Sequence, residues 1–240
     1  MIDFHTHILP SVDDGAKTVY ESIEMLVAER KQGIGHVFLT PHFYADEDNP
    51  SDFIQRRDSS YRALMDSLVR NENVRSYMPK MYLGAEVYYF PGISDCEELK
   101  RLALGNTGCL LVEPPMSFWS ESMLDDIETI GPNYGLVPVI AHVDRYCRML
   151  KDNTLFERLQ KRRILNQVNA SFFLREESKD FAVSLLESDA IHLMGSDCHN
   201  AGQRKPSLGI ACQALANEGH ANALNRSIRK MYRLIENTEE

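Results

Sequence analysis

The chain is 240 residues long, 43% apolar, 25% charged and 9% aromatic, which is enough apolar content for a sizeable core and too much for wholesale disorder. Against 35 aspartates and glutamates stand 26 lysines and arginines, a formal net charge of −9 that argues against a general nucleic-acid or anionic-membrane binder. A phosphate-bearing partner must therefore meet positive charge supplied locally. Cys96, Cys109, Cys147, Cys198 and Cys212 fall in no C-x-x-C spacing and read as free thiols of a reducing, cytoplasmic compartment. The opening MIDFHTHILP has no basic segment and no long apolar run, and no later stretch is apolar enough to span a bilayer, so neither a leader nor membrane insertion is expected.

Short apolar runs alternate with helix-length amphipathic segments. A strand is predicted over 1–4. Thr18-x-x-Glu21 makes a capping box for a helix with Val19, Ile23, Leu26 and Val27 on one face, and Gly33 ends it. A buried strand over 37–40 precedes a charge-rich helix over 51–70. Next come strands over 81–83 and 109–112, a helix over 123–130, and a strand over 137–141, against which Pro138 alone counts. A helix over 155–163, a strand over 164–168, a helix over 181–186, a strand over 191–195 and a helical region from about 210 complete the series. Seven strands interleaved with helices predict parallel β/α units: a single domain over 1–240, closed as an α/β barrel. No G-x-G-x-x-G follows a strand and no P-loop sequence occurs, so nothing supports a dinucleotide or P-loop site.

The residues just after these strands carry the chemistry. His5-Thr6-His7 and then Asp13-Asp14-Gly15 follow the first, and Pro41-His42 the second. Gly84-Ala85-Glu86, Glu113-Pro114, His142-Val143-Asp144-Arg145 and Ser196-Asp197-Cys198-His199 follow later ones. Residues at the C-terminal strand ends of an α/β barrel converge on one mouth. His36, His192 and His220 lie away from that rim. In extended chain, residues two apart point to the same side, so His5 and His7 can share one cation, and Asp197 and His199 repeat the geometry. Imidazoles and carboxylates without a cysteine cluster suit Mn²⁺, Fe²⁺ or Zn²⁺. Nine candidate side chains exceed the needs of one tetrahedral ion, which implies a centre of two or three metals.

MIDFHTHILPSVDDG, TPH, GAEVYY, AHVDRY and SDCHN, in that order, resemble the metal-dependent protein-tyrosine phosphatases of bacterial capsule and exopolysaccharide loci, in the polymerase-and-histidinol-phosphatase (PHP) superfamily. The resemblance runs from Met1 to about Pro206. It implies a distorted (β/α)7 barrel with three divalent ions at the C-terminal strand ends, Mn²⁺ foremost, with Fe, Co or Zn as alternatives. By motif, His5, His7, Glu86 and Asp197 would hold the first metal. Glu86 would bridge to a second held with Glu113 and His142, and Asp14, His42 and His199 would hold a third. Asp14 is preferred to Asp13 because the family ligand adjoins the glycine. Arg145 and Arg204 correspond to the family's phosphate-binding arginines. The implied partner is a tyrosine-phosphorylated protein, a bacterial tyrosine autokinase, with a homo-oligomer as one option. The chain departs from the family in PPMSFWSE after Glu113 and in Lys205, which interrupts the usual Arg-Pro-Pro.

On that reading metals and arginines gather the phosphate and a metal-bound hydroxide attacks phosphorus; a phenolate leaving group needs little help from a general acid, and none is assigned. Three alternatives remain at this level. Cys198 and Arg204 have the C-x5-R spacing of cysteine-dependent phosphatases, though Asp197 beside the thiol disfavours a thiolate. The substrate could be a small phosphomonoester such as histidinol phosphate, or the chain a non-catalytic metal-binding or kinase-binding module. Met116, Phe118 and Trp119, and likewise Tyr88, Tyr89 and Phe90, serve either as ring-stacking loops or as core. Residues 226–233 read as a solvated, basic helix face.

Overall fold

The computed structural model describes residues 1–70, 72–152 and 154–236, so Asn71, Asn153 and residues 237–240 of the expected span lie outside the described residues. The chain runs β1 (Ile2–Thr6), α1 (Val19–Lys31), β2 (His36–Leu39), β3 (His42–Phe43), α2 (Pro50–Val69), α3 (Glu72–Tyr77), β4 (Lys80–Leu83) and β5 (Glu86–Tyr88). It continues through β6 (Cys109–Glu113), α4 (Glu121–Tyr134), β7 (Val137–Ile140), α5 (Val143–Leu150), α6 (Leu155–Gln160) and β8 (Leu165–Asn169). Last come α7 (Ser171–Leu174), α8 (Glu176–Glu187), β9 (Leu193–Gly195), α9 (Leu208–Asn217) and α10 (Ala221–Glu236).

Every strand pair is parallel, as a sheet covered by helices requires. Hydrogen bonding orders the strands β1-β2-β4 and β3-β5-β6-β7-β8-β9. The second and third predicted strands are each interrupted: β2 and β3 are one run broken at Thr40-Pro41, and β4 and β5 one run broken at Gly84-Ala85. The segment after β9 returns to β1. The Asp197 amide donates to His5 O at 2.9 Å and the His7 amide to Cys198 O at 2.9 Å, which closes a distorted α/β barrel of seven runs.

Local chemistry explains most element ends. Thr18 Oγ1 accepts the Glu21 amide at 3.1 Å, but the Glu21 carboxylate takes the Lys17 amide at 2.9 Å, so the capping box is half formed. Gly33, at φ 83, supplies the left-handed residue that ends α1. Asn49 caps α2, and Pro50 occupies the first turn, where its missing N–H costs nothing. Pro138 lies in an interior strand, where the sequence already predicted a strand despite its ring. It pairs with Leu110, and the β8 pairing begins one residue later, so no ladder bond there needs its amide. The helix expected over 155–163 stops at Gln160, and the C-terminal region is two helices. Among the described residues no helix is long and apolar enough to cross a membrane.

Beneath the mouth, Asp3 on β1 and Glu29 on α1 are both buried, close enough for their carboxyl groups to interact. Burial, and then the Asp3 charge, push the Glu29 carboxyl well above its usual range, so the pair carries a proton. The folded state thus binds a proton that the unfolded chain releases above about pH 4.5. That stabilisation is full below the unfolded value and drains away as pH rises towards the elevated folded value. Glu29→Gln should flatten this loss. Urea unfolding should show the variant gaining on wild type between pH 5 and pH 8, and parallel pH profiles would refute the shared proton.

Candidate metal centre

The centre begins where β1 ends. Thr6 turns away to donate its hydroxyl to Phe38 O at 2.7 Å, so His5 and His7 face the opposite side with their Nε2 atoms 3.1 Å apart. The Asp-Asp-Gly turn packs directly on this strand. A Cβ on Gly15 would lie 2.2 Å from His7 O, so only glycine permits the approach. The turn separates the two aspartates. Asp13 is buried against His7, its Oδ2 2.6 Å from Nδ1, and also accepts the amides of Gly15 and His42. Asp14 is 64% exposed by side chain, with Oδ1 3.3 Å from His199 Nε2 and 3.6 Å from His42 Nε2.

Glu86 is the hub. Its Oε2 is 3.0 Å from His5 Nε2, 3.0 Å from His42 Nδ1 and 3.3 Å from His7 Nε2, and its Oε1 is 2.9 Å from His142 Nε2. Glu113 lies 3.3 Å from His142 Nε2 and 3.6 Å from His42 Nδ1. Asp197 Oδ1 is 3.5 Å from His7 Nε2 and 3.8 Å from His5 Nε2. His142 and Asp197 hold left-handed backbone at φ 33 and 53, uncommon for residues with a side chain and typical of over-determined functional positions. All nine expected ligands therefore meet in one mouth.

The buried donors fit divalent cations better than they fit one another. Glu86 Oε2, His42 Nδ1, His142 Nδ1 and His199 Nε2 are buried without a well-directed hydrogen bond, although Glu86 and His42 sit within hydrogen-bonding distance. Three groups have donor atoms within 4.8 Å of one another: His7, Asp14, His42 and His199; His5, His7 and Glu86; and His42, Glu86 and Glu113. His7, His42 and Glu86 each belong to two of these groups, which places His7 towards the Asp14 cluster as well as the one first expected for it. Burial pushes the Glu86 carboxyl up, but the His5 and His42 rings outweigh it and hold the group well below the carboxylate range. Burial likewise works against protonated His142, yet hydrogen bonds to Glu113 and Glu86 lift it to about 9. His199 goes the other way, to about 3, through burial and the nearby His7 charge. Without metal, protons supply the positive charge that these carboxylates demand.

Two amides escaped the sequence reading. Gln167 Oε1 accepts the His142 amide at 2.6 Å and faces His5 Nδ1 at 3.2 Å, which leaves His5 Nε2 free to ligate. Gln167 Nε2 meets Asn169 Oδ1 at 3.0 Å, and Asn169 Nδ2 donates to Asp197 Oδ2 at 3.0 Å. Amide side chains carry no sequence signal of their own; Asn169 at the end of β8, with Gln167 two residues before it, was the available hint. Asp13 plays the same orienting part for His7.

Both arginines reach the centre. Arg145 Nη2 donates to Asp197 Oδ2 at 2.7 Å and Arg204 Nη2 to Asp197 Oδ1 at 3.1 Å, with the side chains 26% and 43% exposed. Each guanidinium thus keeps donors towards the opening.

Cys198 is turned away from it. The side chain is buried, with Sγ 3.9 Å from Glu29 Oε1, and burial and then Glu29 push the thiol well above its usual range. The loop from His199 to Arg204 folds on Asn200, whose Oδ1 accepts the Gly202 and Arg204 amides. A thiolate nucleophile is excluded at this position, and Cys198→Ser should keep hydrolysis within about twofold of wild type in steady-state assays. A folded but inactive serine variant would overturn that placement.

The aromatic segments divide. Trp119 is core, edge-on to Tyr146 with ring centroids 4.7 Å apart, whereas Phe118 is 77% exposed. Tyr89 hydrogen-bonds Asp126, and Tyr88 pairs with Tyr44 at 5.4 Å. Tyr44, next to His42, lies at the mouth and was not singled out by its sequence context.

A family model described as "Capsular polysaccharide synthesis, CpsB/CapC" matches residues 1–231. The chain belongs to this family. It is 28% identical over 232 residues to tyrosine-protein phosphatase CpsB of Streptococcus agalactiae, covering 91% of this chain and 90% of that protein. Over 212 residues it is 28% identical to tyrosine-protein phosphatase YwqE of Bacillus subtilis, covering 85% and 79%. Its backbone superposes with TM-score 0.83 and 25% identity, over 99% of this chain and 95% of the other, on a crystal structure reported with YwqE from Bacillus subtilis and CpsB from Streptococcus pneumoniae, "unique metal-dependent tyrosine phosphatases". A dihydropyrimidinase from Brevibacillus agri, at 10% identity and TM-score 0.52, shares the fold alone.

Proposed function

We propose that the chain is a metal-dependent protein-tyrosine phosphatase, one domain over 1–240, acting in the cytoplasm on a phosphorylated bacterial tyrosine autokinase that controls capsule or exopolysaccharide synthesis. The observation that carries this reading is the convergence of five imidazoles, four carboxylates and two guanidinium groups at one mouth. CpsB/CapC family membership supports the biological setting.

His5, His7, Asp14, His42, Glu86, Glu113, His142, Asp197 and His199 would hold two or three divalent ions; a nitrogen–oxygen donor set lacking thiolates suits Mn²⁺, Fe²⁺ or Zn²⁺, and the family resemblance puts Mn²⁺ foremost. Bound there, such ions supply charge neutralisation at the phosphoryl oxygens and acidify a coordinated water. Arg145 and Arg204 meet the remaining oxygens, where planar forks bind in register. Gln167, Asn169 and Asp13 hold the ligands in place, so little reorganisation is needed as charge develops. The closed strand ring walls the site from below. Phenolate departs without a dedicated acid.

Metal analysis of the purified protein, paired with hydrolysis of a phosphotyrosine peptide, tests this. Two or three ions per chain are expected, and chelation by EDTA should lower the rate at least about a hundredfold, with Mn²⁺ restoring it. Histidinol phosphate should turn over far more slowly. Full activity after chelation, or a preference for histidinol phosphate, would sink the proposal.

A further inference from the structure

Beside the Asp197 carboxylate lies a cavity of about 350 Å³ whose wall includes Arg145, Arg148, Arg175, Arg204 and Lys205. Five cations on one small wall are conspicuous in a chain whose net charge is −9. The two acids that also line it are already engaged. Asp197 pairs with Arg145 and Arg204, and Asp144 accepts the Asn169 amide at 2.9 Å. Among the described residues no ion pair engages Arg148, Arg175 or Lys205, and all three are exposed.

One phosphate does not need this much charge. Its oxygens would be met by the metals and by the forks of Arg145 and Arg204. Arg148 is one helical turn beyond Arg145 on α5, on the same side of the helix. Arg175 sits at the start of α8 and Lys205 directly follows Arg204. The surplus charge lines the same cavity as Arg145 and Arg204, so the groups that would meet it are those close to the phosphotyrosine in an extended peptide, which advances about 3.3 Å per residue. Lys205 is also where the sequence departs from the Arg-Pro-Pro that its family resemblance implies.

We propose that this cavity is a subsite for a second anionic group of the substrate, a carboxylate or a further phosphate near the phosphotyrosine being hydrolysed. The inference rests on the phosphatase reading above and gives that site a substrate preference.

The test uses the metal-loaded full chain and four substrates: p-nitrophenyl phosphate, and phosphotyrosine peptides of equal length flanked by alanine, by glutamate, or by a second phosphotyrosine. Wild type should favour at least one doubly anionic peptide over the alanine peptide by about tenfold in kcat/KM, mainly through KM and less so in high salt. The combined variant Arg148→Ala, Arg175→Ala, Lys205→Ala should lose that preference while turning over p-nitrophenyl phosphate within about twofold of wild type. Preference for the glutamate peptide alone supports a carboxylate, and for the diphosphorylated peptide alone a phosphate. Equal wild-type kcat/KM on all three peptides, or a preference that survives in a variant melting like wild type, would overturn the subsite alone. Failure to hydrolyse any of the four would instead overturn the phosphatase reading.

Discussion

Glu86→Gln is expected to lower kcat/KM on a phosphotyrosine peptide by at least about a thousandfold and to cut the bound metal per chain. Glutamine keeps the volume, so packing is preserved and the change is one of charge. That charge faces four imidazoles at once, those of His5, His7, His42 and His142, all within 3.3 Å. No neighbour duplicates it. Glu113 approaches His142 and His42 instead, and Asp197 stands 3.5 Å or more from the β1 pair. An amide in this place also presents donors towards rings whose free nitrogens should ligate. Elemental analysis and a thermal melt on one preparation decide the matter. A well-folded variant with full metal and activity within tenfold of wild type would remove Glu86 from the centre.

Arg145→Ala should cost about 100- to 1,000-fold in kcat/KM, equivalent to about 2.7–4 kcal/mol, while leaving the metal content unchanged. The guanidinium is partly buried and already aligned on Asp197 at 2.7 Å, so its approach to phosphate needs little ordering. Lysine should recover little, because a point charge cannot reproduce two parallel donors. Metal content separates the two roles open to this residue. A variant that binds metal normally but turns over slowly has lost a phosphate contact. One that loses metal has lost only the partner that steadies Asp197, and activity within threefold of wild type would deny both roles.

Much of this architecture is legible in the amino-acid order because barrel chemistry is punctuated. Apolar runs such as Cys109–Glu113 end on a single charged residue, and the ligands His5, His42, Glu86, Glu113, His142 and Asp197 each follow such a run. The breaks that separate β2 from β3 and β4 from β5 are not legible, since Thr40-Pro41 and Gly84-Ala85 look like strand ends rather than interruptions. Nor are the orienting groups. Gln167 and Asn169 act through their position beside His5 and Asp197, and an amide two residues from another amide has no chemical signature. The Asp13–Asp14 pair shows a finer limit. Residue type makes them equivalent, and only the Gly15 turn sends one inward to His7 and the other to the rim. Trp119 read equally well as a recognition loop or as core until its packing on Tyr146 was seen. The cationic cavity joins α5, α8 and the segment after His199, so no window of sequence contains it.

The bonds that tie β1 to the segment after β9 carry a consequence for how the enzyme is made. Asp197 and His199 leave the ribosome long after His5 and His7. Until then the β1 ligands have no partner strand on that side, and Asp197 cannot reach them. The full set of nine ligands therefore comes together only once the segment through His199 has been made, and the last ligands to arrive are the ones that close the strand ring.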